Sequence, residues 1–300
     1  MKVSEPAPGV HFVEGPASNW LLVRDSSGFM MIDGGYPADR DLVLESIREL
    51  GLEPADAKAM LITHGHVDHT GSASYFSRTF GTPILCSPEE LPHVQGREKH
   101  QVTFGQVLLR AWRPRVFRWM LHVIEAKALQ AEPAMRAEAW TTDRLHSLPG
   151  HPQAIPLPGH TPGNVALLLP GAQAIAVGDT FVTGHPISPA SGPQMLHRMY
   201  HSDPSGALAS ARQLESVQAT VILPGHGPAL RMPLAQAVQA LRHQEQKRPF
   251  RWLAAQGAVR TAWRAAKPRN GRAGSDYGAT CARAGAVQPQ RWTRSATGTP

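Results

Sequence analysis

The pattern of apolar and polar positions divides the chain into short strands and helices. Apolar runs bounded by glycine, proline, serine and aspartate predict three N-terminal strands, at residues 10–13, 19–23 and 29–32. The period then lengthens to that of a helix over residues 42–50, where apolar residues recur every three or four positions. The pattern next predicts a buried strand at 59–63, a helix over about 68–78 and a strand at 83–86.

The C-terminal half is also predicted to contain both strands and helices. Further strands are predicted at residues 153–157, 164–169, 174–178 and 220–223. Asp203 followed by Pro204 predicts the start of a helix that runs to about residue 217, because aspartate caps a first turn and proline fits within it. A last helix is predicted to begin at Pro233 and to end before Pro249.

Residues 88–150 differ from their surroundings. They contain three tryptophans and predict helices over about 105–139, with breaks at Pro114 and Pro133. We interpret this stretch as a helical insertion, able to act as a lid, within a domain that spans residues 1–246. No internal repeat is found.

The net charge of +7 is distributed unevenly along the 300 residues. Residues 247–300 contain 11 basic side chains and one acidic side chain, so that this tail carries +10. Residues 1–246 contain 19 basic and 22 acidic side chains, a net charge of −3. The tail also lacks apolar periodicity, which predicts a flexible segment. The net charge of −3 gives the body no basic surface for binding nucleic acid.

Several classes of protein are excluded by composition. Two cysteines, Cys86 and Cys281, cannot form a disulfide scaffold or a thiolate zinc ribbon. No apolar run approaches the ~18–20 residues that cross a bilayer, so no membrane association is expected. The first residues lack the apolar segment of a signal peptide, and we therefore expect a cytoplasmic protein.

The strongest chemical signal is the stretch HGHVDH at residues 64–69, directly after a predicted buried strand. His64 and His66 share one side of an extended segment, because side chains alternate there. Asp68 and His69 belong to the turn into the next helix and can address a second point nearby. Imidazole and carboxylate groups suit zinc, and also manganese or iron.

Three further segments place one candidate ligand beside glycine at the end of an apolar strand. These ligands are His160 in PLPGHTPG, Asp179 in AVGDTF and His226 in ILPGHGP. Taken singly, each could be an ordinary loop residue. Together with HGHVDH they give seven candidate ligands, enough for two metals that share one carboxylate.

This ordered set of motifs resembles the metallo-β-lactamase superfamily over about residues 8–245. The resemblance implies an α/β fold, an αβ/βα sandwich of two mixed sheets with outer helices and a metal site at one edge. The implied ligands of the first metal are His64, His66 and His160. Those implied for the second metal are Asp68, His69 and His226. Asp179 would bridge the two.

Asp179 stands where the classical zinc β-lactamases of the family place a cysteine. An aspartate there resembles the hydroxyacylglutathione hydrolase, lactonase and arylsulfatase branch. Asp33, in MMIDGG, matches the family's N-terminal Asp-Gly turn. It is expected to support a ligand histidine, since such histidines need a partner for the second ring nitrogen.

The site predicts a binuclear metal hydrolase with two Zn²⁺ ions per chain, with iron or manganese as other possible metals. A hydroxide that bridges the metals would attack a small ester, thioester or lactone, and Asp68 could orient it. No serine nucleophile motif is present. The expected partner is a small-molecule substrate, and the oligomeric state is left open.

Candidates for contact with that substrate follow the Asp179 motif. They are His185, Arg198, Tyr200 and His201, of which Tyr200 could donate a hydrogen bond to a developing oxyanion. The four arginines between Arg110 and Arg118 could bind an acidic substrate, although such a cluster is more often a solvated helix face. Trp112 and Trp119 are seven positions apart and could form one apolar helix stripe.

Other functions stay open at this point. A persulfide-dioxygenase-like enzyme of the same family would bind one iron through His64, His160 and Asp179. A β-lactamase or a nucleic-acid phosphodiesterase would use the same hydroxide on another bond. A non-catalytic binding module would leave the full ligand set without a use.

Overall fold

A computed structural model of the chain describes residues 1–247, and it describes the side chains of residues 1–243. Except for Lys247, the predicted basic tail lies outside the described residues. The first of two β-sheets has seven strands in sequence order. They are β1 (Lys2–Ala7), β2 (Val10–Glu14), β3 (Asn19–Asp25), β4 (Gly28–Ile32), β5 (Ala57–Leu61), β6 (Ile84–Cys86) and β7 (Glu138–Ala139).

The second sheet has five strands in the order β12-β11-β10-β9-β8. Their bounds are β8 (Gln153–Pro156), β9 (Val165–Leu169), β10 (Ala174–Gly178), β11 (Val221–Pro224) and β12 (Leu230–Arg231). Both sheets are mixed: β1 to β4 pair antiparallel and β4 to β7 pair parallel. In the second sheet only β10 and β11 pair parallel.

Helices lie between the strands in the chain. The first four are α1 (Arg40–Glu49), α2 (Val67–Thr70), α3 (Ala73–Thr79) and α4 (Leu91–Val94). The others are α5 (Phe104–Leu108), α6 (Pro114–Glu125), α7 (Thr142–His146), α8 (Pro204–Gln213) and α9 (Leu234–Lys247). Across residues 1–247, no helix has the length and apolar character needed to cross a membrane.

Strand alternation explains how the two sheets pack. In β9, Val165 and Leu167 join the core that includes the strands of the first sheet. Ala166, between them, joins a separate core formed with α8 and α9. Successive side chains of a strand point to opposite faces, so β9 covers the first sheet with one face and the helices with the other. The predicted αβ/βα sandwich is thereby confirmed.

The helix predicted over residues 68–78 is divided into α2 and α3. The N–H of Gly71 donates to the carbonyl of Gly35, 2.9 Å away, instead of continuing the helical ladder. A Cβ at Gly71 would lie 2.2 Å from the backbone of Tyr36, so only glycine permits this approach. The break places Asp68 and His69 in a short helix of their own.

Residues 88–150 contribute to the first sheet as well as to helices. β7 pairs parallel with β6, and Trp140 and Leu145 lie in the main core. Pro114 begins α6, where its missing N–H costs nothing, and separates it from α5. The predicted continuation of helix beyond Pro133 is wrong, because the chain there becomes extended to form β7.

Candidate metal centre

The seven predicted ligands come from four segments that meet at one edge of the sandwich. His64 and His66 follow β5, and the next two ligands lie in α2. His160 follows β8, Asp179 follows β10 and His226 follows β11. The ends of buried strands hold these loops in place, so that residues from both sheets contact one another.

Gly225, which precedes His226, shows how closely the segments approach. A Cβ at this position would lie 2.3 Å from Oδ1 of Asp179 and 2.7 Å from Cε1 of His69. Its N–H donates to the carbonyl of Gly178 at the end of β10. Any side chain at position 225 would therefore displace the candidate ligands.

Three histidines form the first group of candidate ligands. Nε2 of His160 lies 3.0 Å from Nδ1 of His66, and the ring centroids of His64 and His160 are 4.6 Å apart. All three side chains are buried, and each offers a ring nitrogen within 4.8 Å of the others. Three nitrogens at this spacing could hold one divalent cation.

A second group consists of Asp68, His69 and His226, whose candidate atoms also lie within 4.8 Å of one another. Nε2 of His226 is 3.3 Å from Oδ2 of Asp68. Asp179 lies between the two groups: its Oδ2 is 3.2 Å from Nε2 of His226 and 3.6 Å from Nε2 of His160. A carboxylate in this position can reach ions in both groups.

Atoms without partners test whether the site suits a metal. Nε2 of His64, Nε2 of His69 and Oδ1 of Asp179 are buried and have no hydrogen-bond partner. Each unpaired buried group costs about 1–3 kcal/mol, so native proteins rarely leave them. Imidazole nitrogen and carboxylate oxygen are ligands of zinc, iron and manganese. The residues present therefore fit divalent metals.

The second ring nitrogens of the histidines are fixed by hydrogen bonds. Nδ1 of His69 donates to Oδ2 of Asp33 at 2.8 Å, and Nδ1 of His226 donates to the carbonyl of Ala17 at 2.6 Å. Asp33 also accepts the N–H of Thr63 at 2.9 Å. Asp33 thus bonds to a candidate ligand histidine, as predicted, and these bonds turn Nε2 of both histidines toward the site.

Electrostatics differ between the two groups. Burial, with neighbouring histidines, holds the pKa of His64 well below its usual value, so this side is neutral, as a ligand must be. For His69 burial also opposes charge, but nearby carboxylates, Asp33 foremost, raise its pKa to about 9. Asp179 raises the pKa of His226 in the same way despite burial. The carboxylates of Asp33, Asp68 and Asp179 thus favour positive charge at the second group, which a bound cation would supply in place of the histidine protons.

Glu90 is a site residue that the sequence analysis missed. Its fully buried carboxylate accepts the N–H of Gly65 and Nδ1 of His93, both at 2.7 Å. The other oxygen accepts the Thr161 hydroxyl at 2.7 Å and the Gly163 N–H at 2.8 Å. Glu90 therefore ties the loop that carries two ligand histidines to the loop that carries His160.

A cavity of about 520 Å³ opens onto the ligands. Tyr200 and His185 line it, as the sequence predicts for substrate contacts. The Tyr200 ring packs edge-on against Trp119 at a centroid distance of 5.6 Å, and its buried hydroxyl has no hydrogen-bond partner. This hydroxyl is available to a bound molecule.

Other predicted substrate residues lie elsewhere. Nδ1 of His201 is 3.2 Å from Nδ1 of His160, so His201 supports a ligand instead of lining the cavity. Neither Arg198 nor the arginines between positions 110 and 118 are among the lining residues. The predicted Trp112–Trp119 stripe is wrong, because Trp112 precedes α6 and is 76% exposed.

Comparisons with known proteins agree with this fold and site. A sequence profile of the metallo-beta-lactamase superfamily matches residues 13–226. The probable metallo-hydrolase YflN of Bacillus subtilis is 24% identical over 235 residues, which cover 74% of this chain and 85% of that protein. The hydroxyacylglutathione hydrolase GloC of Haemophilus influenzae is 27% identical over 165 residues, covering 55% and 66%.

Solved structures show the same architecture. A metallo-beta-lactamase of Cronobacter sakazakii superposes with a TM-score of 0.59 at 20% identity, over 86% of this chain and 100% of that one. A metallo-beta-lactamase family protein of Thermus thermophilus gives 0.56 at 21% identity, over 83% of each chain. The chain therefore belongs to the metallo-beta-lactamase superfamily, whose members bind divalent metals, and it is a metal-dependent hydrolase.

Proposed function

We propose that this protein cleaves a small ester, thioester or lactone with two divalent ions, which we expect to be zinc. The observation that carries the proposal is the position of Asp179. Its carboxylate contacts His160 of one complete ligand group and His226 of the other. Two complete groups beside one shared carboxylate favour a binuclear site over a single ion.

The two ions would be held by different sets of side chains. One set is His64, His66 and His160. The other set is Asp68, His69 and His226. Asp179 would contact both ions. When bound, such a pair supplies Lewis acidity to the substrate's carbonyl oxygen and lowers the pKa of water toward about 7.

The chain's own groups would orient the reactants. The Asp68 side chain is 14% exposed and lines the cavity, where its carboxylate can accept a hydrogen bond from the attacking water and orient it. The Tyr200 hydroxyl can donate to the oxygen that becomes negative in the transition state. Burial, with the charge of Asp68, raises the pKa of Tyr200, so the hydroxyl keeps its proton.

The choice of substrate class rests on two supports. The relative GloC is named a hydroxyacylglutathione hydrolase, which supports a thioester as one of the candidates. Asp179, where the classical zinc β-lactamases of this family have cysteine, disfavours a β-lactam. No observation favours the phosphodiesterase alternative, since residues 1–246 carry a net charge of −3.

The test begins with metal content, measured by elemental mass spectrometry on protein purified without a metal-affinity tag. We expect about two zinc ions per chain, and turnover of at least one of an aryl ester, a thioester or a lactone. Removal of metal with a chelator should abolish this turnover, and zinc should restore it. One iron without zinc, with oxygen uptake on a persulfide, would replace the proposal by the iron enzyme. A zinc-loaded protein that cleaves none of the three substrate classes would refute it.

A further inference from the structure

One wall of the cavity is apolar, although its floor is formed by charged and polar ligands. The wall is contributed by α5, α6 and the turn that follows: Val107, Trp119, Met120, Val123 and Leu129 all line it. Trp119 and Met120 are each 8% exposed and belong to a small core with Tyr200. A molecule whose reacting bond lies at the ligands would therefore extend along apolar side chains.

The charged groups near this wall do not favour an anionic substrate. Among the described residues that line the cavity, those with charge away from the ligands are Glu98, Lys99 and Glu132. Lys99 and Arg78, which pairs with Glu132, balance the two carboxylates, so these groups leave no net positive charge at the mouth. A substrate with several carboxylates, such as a glutathione thioester, would find no excess of positive charge there.

The cavity is also larger than a small ester needs. Its volume of about 520 Å³ lies within the range of about 300–1,000 Å³ that is typical of drug-sized ligands. Candidate ligands line one part of the cavity, and the apolar side chains of α5 and α6 line another. This distribution fits an amphipathic molecule that has one reactive carbonyl and one extended hydrocarbon part.

We propose that the wall formed by Trp119, Met120 and Val123 binds the hydrocarbon chain of an uncharged ester or lactone. The inference rests on the proposed function, since it assigns the substrate class of the same site. Burial of each methylene group contributes about 0.8 kcal/mol, which corresponds to about four-fold in affinity. The cavity thus predicts selectivity for chain length.

Helix α6 offers a matched pair of variants. Val123 lines the cavity, whereas Leu121 is 43% exposed and does not line it. Val123→Trp would fill the space expected for the hydrocarbon chain. Leu121→Trp adds the same indole to the same helix, away from the cavity.

Kinetics on the zinc-loaded enzyme provide the first measurement. For 4-nitrophenyl acetate, butyrate, hexanoate and octanoate, we expect kcat/KM to rise about four-fold per added methylene until the cavity is filled. Val123→Trp should abolish this rise. Leu121→Trp should retain the rise. Turnover independent of chain length in the unchanged enzyme would overturn the inference and leave the proposed function intact.

Binding gives a readout that needs no turnover. In calorimetry, 1-octanol should bind more tightly than 1-butanol by more than about 100-fold, and Val123→Trp should remove that difference. If none of the three substrate classes is cleaved but the alcohols bind in this way, the proposed function fails and the apolar wall is supported. Equal binding of both alcohols would refute the wall on its own.

Discussion

The candidate ligands lie in segments that directly follow buried strands, on loops and in the short helix α2. The cavity wall beside them is formed by α5 and α6, helices of five and twelve residues. Six of the seven ligands are buried. By contrast, every large apolar side chain that is exposed in the described part of the chain, apart from Met1, lies between residues 104 and 135.

In the proposed function, the candidate ligands therefore carry the reaction, and the cavity wall selects the substrate. Asp33 bonds to the candidate ligand His69, and Glu90 bonds to the loops that carry other candidate ligands, so small changes at these two residues disturb both ligand groups. The wall depends on apolar packing of α5 and α6 against Val182, Leu196 and Tyr200. Changes there can alter which molecule fits, while the ligands keep their positions. The variants below compare the two regions.

Removal of a ligand should give the largest effect. His160→Ala leaves the first group with two histidines and Asp179 with one fewer neighbour. We expect the loss of at least one metal per chain and a fall in kcat/KM of more than about 100-fold, the upper end of the loss for an outer partner. Elemental mass spectrometry and ester kinetics measure both. His243→Ala, at an exposed position of α9, is the control and should behave as the unchanged protein.

Two tryptophans test the wall. Trp119→Ala should lower the free energy of unfolding by about 3 kcal/mol, because it empties a buried site between Tyr200 and His185. Trp112→Ala, at a position 76% exposed, should change it by only about 0.5 kcal/mol. Urea denaturation of both variants checks the difference. Equal losses would show that the wall is not packed as described.

Glu90→Gln tests how the ligand-bearing loops are joined. Glutamine retains one acceptor oxygen, and its NH₂ group would face two of the four donors that Glu90 now accepts. We expect the free energy of unfolding to fall by about 2 kcal/mol. Glu89→Gln, one residue earlier and exposed, should have almost no effect in the same denaturation experiment. A stable Glu90→Gln protein would show that the four bonds are dispensable.

The smallest expected effect concerns Asp33. Its φ of 62° lies in the left-handed region, which asparagine tolerates, so Asp33→Asn changes the charge with little backbone strain. Loss of that charge weakens the support of His69 and should lower metal affinity by about 10-fold. Competition with a chromogenic chelator measures the affinity. Asp41→Asn, with an 85% exposed side chain on α1, should leave it unchanged.

The ligands could be predicted because their signal is local. HGHVDH places four candidates within six residues, and the remaining three each follow an apolar strand beside glycine. The strands themselves were recognisable from their apolar runs. The fold brings the four segments together, and only the resemblance to a family predicts that they meet.

Glu90 and the break at Gly71 could not be predicted in this way. Glu90 accepts bonds from Gly65 and Gly163, which are 25 and 73 residues away. Gly71 donates to the carbonyl of Gly35 in a separate loop. Hydrogen bonds to residues so distant in the chain produce no local pattern, so the sequence around position 90 indicates only an ordinary loop glutamate.

The tryptophan stripe failed for a different reason. Spacing of seven residues places two side chains on one face only if a single helix contains both. Pro114 begins a new helix between Trp112 and Trp119, so the count of residues no longer measures an angle around one axis.

Each ligand group draws on both sheets, and this has a consequence for the synthesis of the protein. His64 emerges from the ribosome 162 residues before His226. At about 5–20 residues per second, the earlier histidine is exposed for roughly 8–30 s before its last neighbour exists. A nascent chain therefore presents HGHVDH to cellular metal without the partners that complete the second group. The completed site can form only after translation has passed β11.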